Sequence, residues 1–176
     1  MSYVLPIAAL LVAGAVTVLA PAARADEIDC DEIGLRVDLE EYLPTWCYSD
    51  TLSDGDARAE IEATFVEAPT SYALVVSAEA FARSYLPRQA LESLIGSMLE
   101  DEQLAWREGI GVDGFTAKRF AIVADSGRET NCVGFSENSS SPSGRPHSRL
   151  YGYLCNAESG EIEDAKLTSF IAAIDG

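Results

Sequence analysis

The chain has 176 residues, of which 29 are acidic and 12 are Lys or Arg, so its formal net charge is −17. This charge repels nucleic acid and anionic lipid surfaces, and we therefore expect neither as a partner. The length suits one domain built around one hydrophobic core.

The N-terminal residues 1–25 have the features of a signal peptide. The first 23 residues carry no charged side chain, and the run ends in Ala23-Arg24-Ala25, a small-x-small pattern that signal peptidase recognises. Acidic sequence begins at once with Asp26. The sequence predicts cleavage after Ala25, which leaves 26–176 as a single exported domain without membrane attachment. A retained membrane anchor is the alternative, because the apolar run is long enough to span a bilayer.

The four cysteines of the chain indicate disulfides. Their number is even, and none belongs to a C-x-x-C motif, which favours two bridges in an oxidising compartment. Three pairings are possible, and proximity in sequence favours Cys30–Cys47 and Cys132–Cys155. We expect the compartment to be a bacterial periplasm, with the extracellular space as the alternative.

The first elements after the signal peptide follow the period-two pattern of β-strands. Apolar and polar residues alternate over 33–39, and the polar stretch 49–56 has the composition of a loop. A clearer alternation over 57–66, a break at Pro69 and a second run over 71–77 predict a hairpin.

The middle of the chain predicts a helix over 87–106. Pro87 suits a first helical turn. The apolar residues that follow recur at helical spacing and are Leu91, Leu94, Ile95, Met98 and Leu99.

The C-terminal part predicts three strands, at 115–124, 130–136 and 150–156, and a helix over 161–174. The last two strands flank 137–147, which is rich in Ser, Pro and Gly. The helix carries acidic residues in its first turn, where the helix dipole favours them.

This order of elements predicts an α+β fold. We expect an antiparallel sheet of about five to six strands, with the helices 87–106 and 161–174 packed on one face. A doubly wound parallel fold is not expected, because no βαβ unit repeats along the chain.

The only histidine, His147, follows a group of serines, so a Ser–His–Asp arrangement is conceivable. However, the segment Gly134-Phe135-Ser136-Glu137-Asn138 lacks the second glycine of a nucleophile elbow. We therefore expect no catalytic residue. A small envelope hydrolase that uses His147 with a loop serine is the alternative function.

No metal or cofactor is expected. Asp29, Asp31, Gly34 and Glu40 match four positions of a calcium-binding loop, but Ile33 stands at a position that requires a side-chain oxygen. A single histidine and the wide spacing of the cysteines argue against a zinc or redox site.

Tyr151 and Tyr153 lie on one face of the predicted strand 150–156, with aliphatic residues and a glycine on the other. If the aliphatic face is buried, the two tyrosines form a possible binding surface. The alternative is that they are cross-strand packing partners. Taken together, these features predict an exported, soluble accessory or binding domain without catalysis. Its expected partner is an envelope protein or a small ligand.

Overall fold

Nine strands and two helices lie within the residues that the computed structural model describes, which are 28–54, 57–81, 84–140, 144–158 and 160–176. The predicted signal peptide and its cleavage site lie outside these residues. In chain order the elements are β1 (Arg36–Val37), β2 (Leu43–Asp54), β3 (Ala57–Ala68), β4 (Ser71–Ala80), α1 (Leu91–Met98), β5 (Gln103–Val112), β6 (Phe115–Val123), β7 (Glu129–Ser140), β8 (Pro146–Asn156), α2 (Asp164–Ala172) and β9 (Ile174–Asp175).

Seven strands form one antiparallel sheet in the order β2-β3-β4-β8-β7-β6-β5, and β1 pairs with β9 in a separate two-stranded sheet. The predicted hairpin 57–66 and 71–77 is confirmed as β3 and β4. The three strands predicted in the C-terminal half are confirmed as β6, β7 and β8. The sheet exceeds the predicted five to six strands, and the fold is mostly β, because the sequence pattern did not reveal β2 and β5.

One helix packs on each face of the seven-stranded sheet. On β7, Cys132 lies in a buried cluster with Ile95 of α1, whereas its neighbour Val133 lies in a second cluster with Phe170 of α2. Successive side chains of a strand point to opposite faces, so the two helices cover opposite faces, named here the α1 face and the α2 face. The prediction that both helices pack on one face is therefore wrong.

The helix predicted over 87–106 is wrong in its second half, because β5 occupies that part of the chain. A bulge interrupts the ladder of β5 between Trp106 and Gly109. Before the bulge Trp106 lies opposite Phe120 on the α1 face, and after it Ile110 lies opposite Ala117 on the α2 face. The bulge thus changes the phase of the period-two pattern and hides the strand.

The strand predicted over 33–39 pairs as Arg36–Val37, with β9 as its partner. The rest of this segment lies across the α2 face, where Leu35 is 1% exposed within the buried cluster. The carboxylate of Glu62 on β3 accepts the backbone N–H groups of Gly34 at 3.2 Å and of Leu35 at 3.0 Å. A side chain therefore supplies the hydrogen bonds that a neighbouring strand would give.

Other boundaries differ by shorter lengths. The predicted loop 49–56 lies mostly within β2, and β7 and β8 extend into both ends of the predicted loop 137–147. The helix predicted over 161–174 is α2, which is shorter at both ends, and Ile174 belongs to β9 instead.

Candidate functional site

The cover over the α1 face does not extend to its β2–β3 end. Helix α1 packs against β6, β7 and β8, and the buried cluster around it reaches Tyr72 and Leu74 of β4. Side chains of β2 and β3 on this face lie outside that cluster. Cross-strand partners share a face, and the ladder places the following residues together, named here the open aromatic face: Leu43, Trp46, Tyr48, Asp50 and Leu52 of β2, and Ile61 and Phe65 of β3.

The open aromatic face exposes apolar side chains to solvent. Leu43 is 65% exposed and Leu52 is 50% exposed, and Trp46, Tyr48 and Phe65 are half-buried. Large apolar side chains gathered on one exposed surface are typical of an interaction site.

Two stacked rings form the centre of this face. The rings of Trp46 and Tyr48 are nearly parallel, with an interplanar angle of 5° and centroids 5.9 Å apart. Phe65 on β3 contacts the ring of Tyr72, with a centroid distance of 5.9 Å. Aromatic side chains offer a large contact area and have few rotatable bonds, so little freedom is lost when a partner binds.

Asp50 links this face to the backbone of the edge strand. Its carboxylate accepts the hydroxyl of Tyr48 at 2.9 Å and the backbone N–H of Thr51 at 2.7 Å. Burial, this hydrogen bond and the charge of Asp50 raise the pKa of Tyr48 to about 12. Tyr48 therefore stays protonated and donates to Asp50 at neutral pH.

The outer side of β2 carries backbone groups that no strand pairs within the described residues. The carbonyl of Cys47 accepts the N–H of Ile28 at 3.3 Å and so turns away from β3. Backbone direction repeats every second residue in an antiparallel strand, so Ser49 and Thr51 also direct their N–H and C=O groups outward. These residues form a free strand edge beside Tyr48 and Asp50.

Tyr151 and Tyr153, the sequence-predicted binding surface, both lie on the α1 face, away from the open aromatic face. Tyr153 is 2% exposed and contacts Phe120 edge-to-face, so it is a packing residue, as the alternative interpretation predicts. Burial raises the pKa of both tyrosines. Tyr151 is half-buried and lies between Val76 of β4 and Ser136 of β7.

The cysteines form the two bridges that proximity in sequence favours. Cys30 is bonded to Cys47, and Cys132 is bonded to Cys155. The first bridge ties the N-terminal segment to the edge strand β2. The second joins β7 to β8 at directly opposite positions, beneath α1.

His147 lies near the start of β8, with a side chain 43% exposed and Nε2 4.0 Å from Oε1 of Glu79. Ser136 is 5% exposed on β7, and Ser139 is exposed opposite Ser148. The loop residues 141–143 lie outside the described part of the chain. Among the described residues, no hydrogen bond joins His147 to a serine, and no group of three or more His, Cys, Asp or Glu side chains is arranged to hold a metal ion.

A cavity of about 410 Å³ lies on the α2 face, between the N-terminal segment and the β2–β3 end of the sheet. Its walls include the buried residues Cys47, Thr64 and Val66, and its mouth carries the exposed residues Arg36 and Asp175. This volume is within the range of small-molecule sites, which extends from about 300 to 1,000 Å³.

The sequence interpretation missed Trp46, Tyr48 and Leu52 as site residues. Their spacings of two and four place them on one face of a strand, but Ser49, Asp50 and Thr51 before Leu52 gave the segment the composition of a loop. Comparison of the chain with protein-family models, curated proteins and solved structures finds no match, so the case for a function rests on this geometry.

Proposed function

We propose that this chain is an exported binding domain that docks an envelope protein on the open aromatic face. The observation that carries the proposal is the group of aromatic and aliphatic side chains on the edge strand and its neighbour, outside both buried clusters. Interfaces between proteins are enriched in Trp, Tyr and Phe at their centres. The stacked pair Trp46 and Tyr48 provides such a centre.

The two disulfides are consistent with an oxidising compartment. The predicted signal peptide supports export, and we propose a bacterial periplasm as the compartment.

Among the described residues, no helix has both the length and the apolar character needed to cross a membrane.

The shape of the surface favours a protein over a small ligand. The open aromatic face is one side of two adjacent strands, and a strand face offers a broad contact area rather than an enclosing cleft. A small ligand would instead fit the cavity on the opposite face of the sheet. The net charge of −17 argues against a nucleic acid.

Site-specific photocrosslinking in the intact envelope tests this proposal. Leu52 is replaced by p-benzoylphenylalanine, because it is 50% exposed and lies beside the aromatic pair without being part of it. The matched control places the same side chain at Ser169, an exposed position of α2 on the other face. Mass spectrometry then identifies any protein joined to either position.

We expect one discrete protein adduct from position 52 and none from position 169. The adduct at position 52 should disappear when Trp46 is also replaced by Ser, because the stacked ring that a partner would contact is gone. The same adducts from both positions, or no adduct from position 52, would contradict the proposal.

A further inference from the structure

The two edges of the seven-stranded sheet differ in how readily another strand can pair with them. The edge strand β5 carries a bulge between Trp106 and Gly109, and Arg107 within it pairs with Glu129 of β7 at 2.6 Å. A bulge breaks the regular row of backbone groups that a new strand needs. On β2, the register shift lies at the start of the strand, and the ladder is regular from Trp46 to the end.

The outward backbone groups of β2 make one side of a strand ladder. The edge is contacted at Cys47 by Ile28, which leaves the outward groups of Ser49, Thr51 and Ser53 beyond this contact. The N–H of Thr51 bonds the carboxylate of Asp50. A short extended segment of about five residues matches this length, at about 3.4 Å per residue.

The negative charge along β2 favours a basic segment as the incoming strand. No Lys or Arg occurs between Arg36 and Arg58, whereas six acidic residues do, among them Asp50 at the middle of the edge. On the opposite side of the sheet, Glu60 and Glu62 of β3 lie behind Thr51 and Ser49. The carboxylate of Glu62 already binds the N–H groups of Gly34 and Leu35. An incoming strand therefore meets Asp50 on one face and the exposed Glu60 on the other, and Lys or Arg side chains complement both.

The same charges disfavour a second copy of this chain. Pairing β2 with β2 would bring together two acidic edges of molecules that each carry a net charge of −17. Like charges opposed across a ladder are destabilising.

We infer that an extended, basic segment of the partner protein adds to β2 as a further strand at Ser49–Ser53, with a Lys or Arg taking the carboxylate of Asp50 from the N–H of Thr51. The segment then lies beside Tyr48 and Leu52, and the released N–H of Thr51 joins the new ladder. Main-chain hydrogen bonds give such a complex its affinity, and the contacts of the segment's side chains with the neighbouring surface give its specificity. This inference rests on the proposed function and specifies the chemistry of the partner.

Synthetic peptides test strand addition directly on the signal-cleaved, disulfide-bonded protein. The probe is an acetylated and amidated peptide of sequence TKVKVKT. Its controls are the same peptide with Glu in place of Lys, and the Lys peptide with N-methylated valines, which keeps the charge but removes backbone donors. Binding is measured by titration, and the amides of 49, 51 and 53 are followed by hydrogen exchange.

We expect the Lys peptide to bind at low salt and to protect these amides, and both control peptides to bind at least about tenfold more weakly. Equal binding of the N-methylated peptide would show a merely electrostatic contact and overturn the inference. Protection of the same amides by self-association of the protein alone, with a dimer in sedimentation, would overturn it in favour of a second copy.

A proline variant provides the matched test on the protein side. Thr51→Pro removes the outward N–H at a position where an edge strand tolerates proline, and it should abolish protection by the Lys peptide. Thr51→Ala keeps the N–H and should bind like the unchanged protein. If Thr51→Pro does not fold, the comparison of the Lys peptide with its N-methylated form on the unchanged protein tests strand addition instead. If the unchanged protein forms the adduct at position 52 but does not bind the Lys peptide, strand addition is refuted and the proposed function stands. If it binds the peptide but forms no adduct, the envelope partner is refuted.

Discussion

Nη2 of Arg149 donates a hydrogen bond of 2.6 Å to the carbonyl oxygen of Pro87, 62 residues away in sequence. The same guanidinium donates from Nη1 to Gln89 and from Nε to Asn138. Arg149 is 4% exposed, and burial lowers its pKa. One side chain on β8 thus fixes the segment that leads from β4 into α1.

Arg149→Met should lower the free energy of unfolding by about 3 kcal/mol, because it removes a buried guanidinium together with its three hydrogen bonds. Denaturant unfolding measures the change. Arg36→Ala is the control: Arg36 is exposed and its Nη2 lies 3.3 Å from the carbonyl of Asp31, so the effect should stay within about 0.5 kcal/mol. An equal effect of the two substitutions would contradict this role for Arg149.

Gly152→Ala should be strongly destabilising, because β8 passes so close to β4 that a methyl group at position 152 would collide with the backbone oxygen of Leu74 and approach the ring of Phe135. We expect a loss of about 3 kcal/mol, measured by thermal unfolding. Gly111→Ala is the matched control, since a Cβ there meets no atom within 4 Å. A stable Gly152→Ala variant would show that β4 and β8 can separate at this point.

Tyr48 should titrate near pH 12, about two units above its ordinary value of 10.0. Its folded-state pKa lies above the unfolded one, so its contribution to stability is complete below pH 10 and is lost as the pH rises through about 12. Asp50→Asn should lower this pKa, because the charge that disfavours tyrosinate is removed. Ultraviolet titration of tyrosinate measures the shift, with Tyr48→Phe identifying the step. An unchanged titration in Asp50→Asn would refute the contact.

Removing the bridge Cys30–Cys47 by double replacement with Ala should loosen the N-terminal segment before the rest of the protein. Amide exchange at Gly34 and Leu35 should accelerate, while amides of β7 and β8 keep their protection, because the bridge holds the segment to one edge strand.

The equivalent double replacement of Cys132 and Cys155 should affect every strand of the sheet. The two bridges have sequence separations of 17 and 23, so the chain-entropy model gives either one about 3 kcal/mol. The cysteines of the second bridge lie in the core beneath α1. Exchange confined to β7 and β8 in this variant would contradict the prediction.

The sequence predicts strands well where one phase of alternation runs through the whole element. The hairpin of β3 and β4 is such a case, since Ala63 and Phe65 keep to one face without interruption. The prediction fails at β5, where the bulge after Trp106 changes the face, and at β2, where three polar residues separate Tyr48 from Leu52. Both failures fall on the two edges of the sheet, where fewer neighbours constrain the side chains.

The position of the candidate site could not be predicted from the sequence for a different reason. Tyr151 and Tyr153 alternate as predicted, but which face of β8 is covered depends on α1, which arrives from another part of the chain. Likewise, β2 is an edge because no other strand of the described residues reaches its outer side. Such long-range pairings leave no local pattern in the sequence.

The strand order divides the molecule into two meanders, β2-β3-β4 and β5-β6-β7-β8, that meet along a single seam between β4 and β8. Each disulfide lies on its own side of the seam, so no covalent link other than the chain itself crosses it within the described residues. Helix α2 spans it instead, because the ring of Phe170 contacts Tyr42 beside one meander and Phe135 within the other. The last helix of the chain therefore packs against both meanders. When the molecule is pulled mechanically, β4 and β8 should separate first while each meander keeps its disulfide.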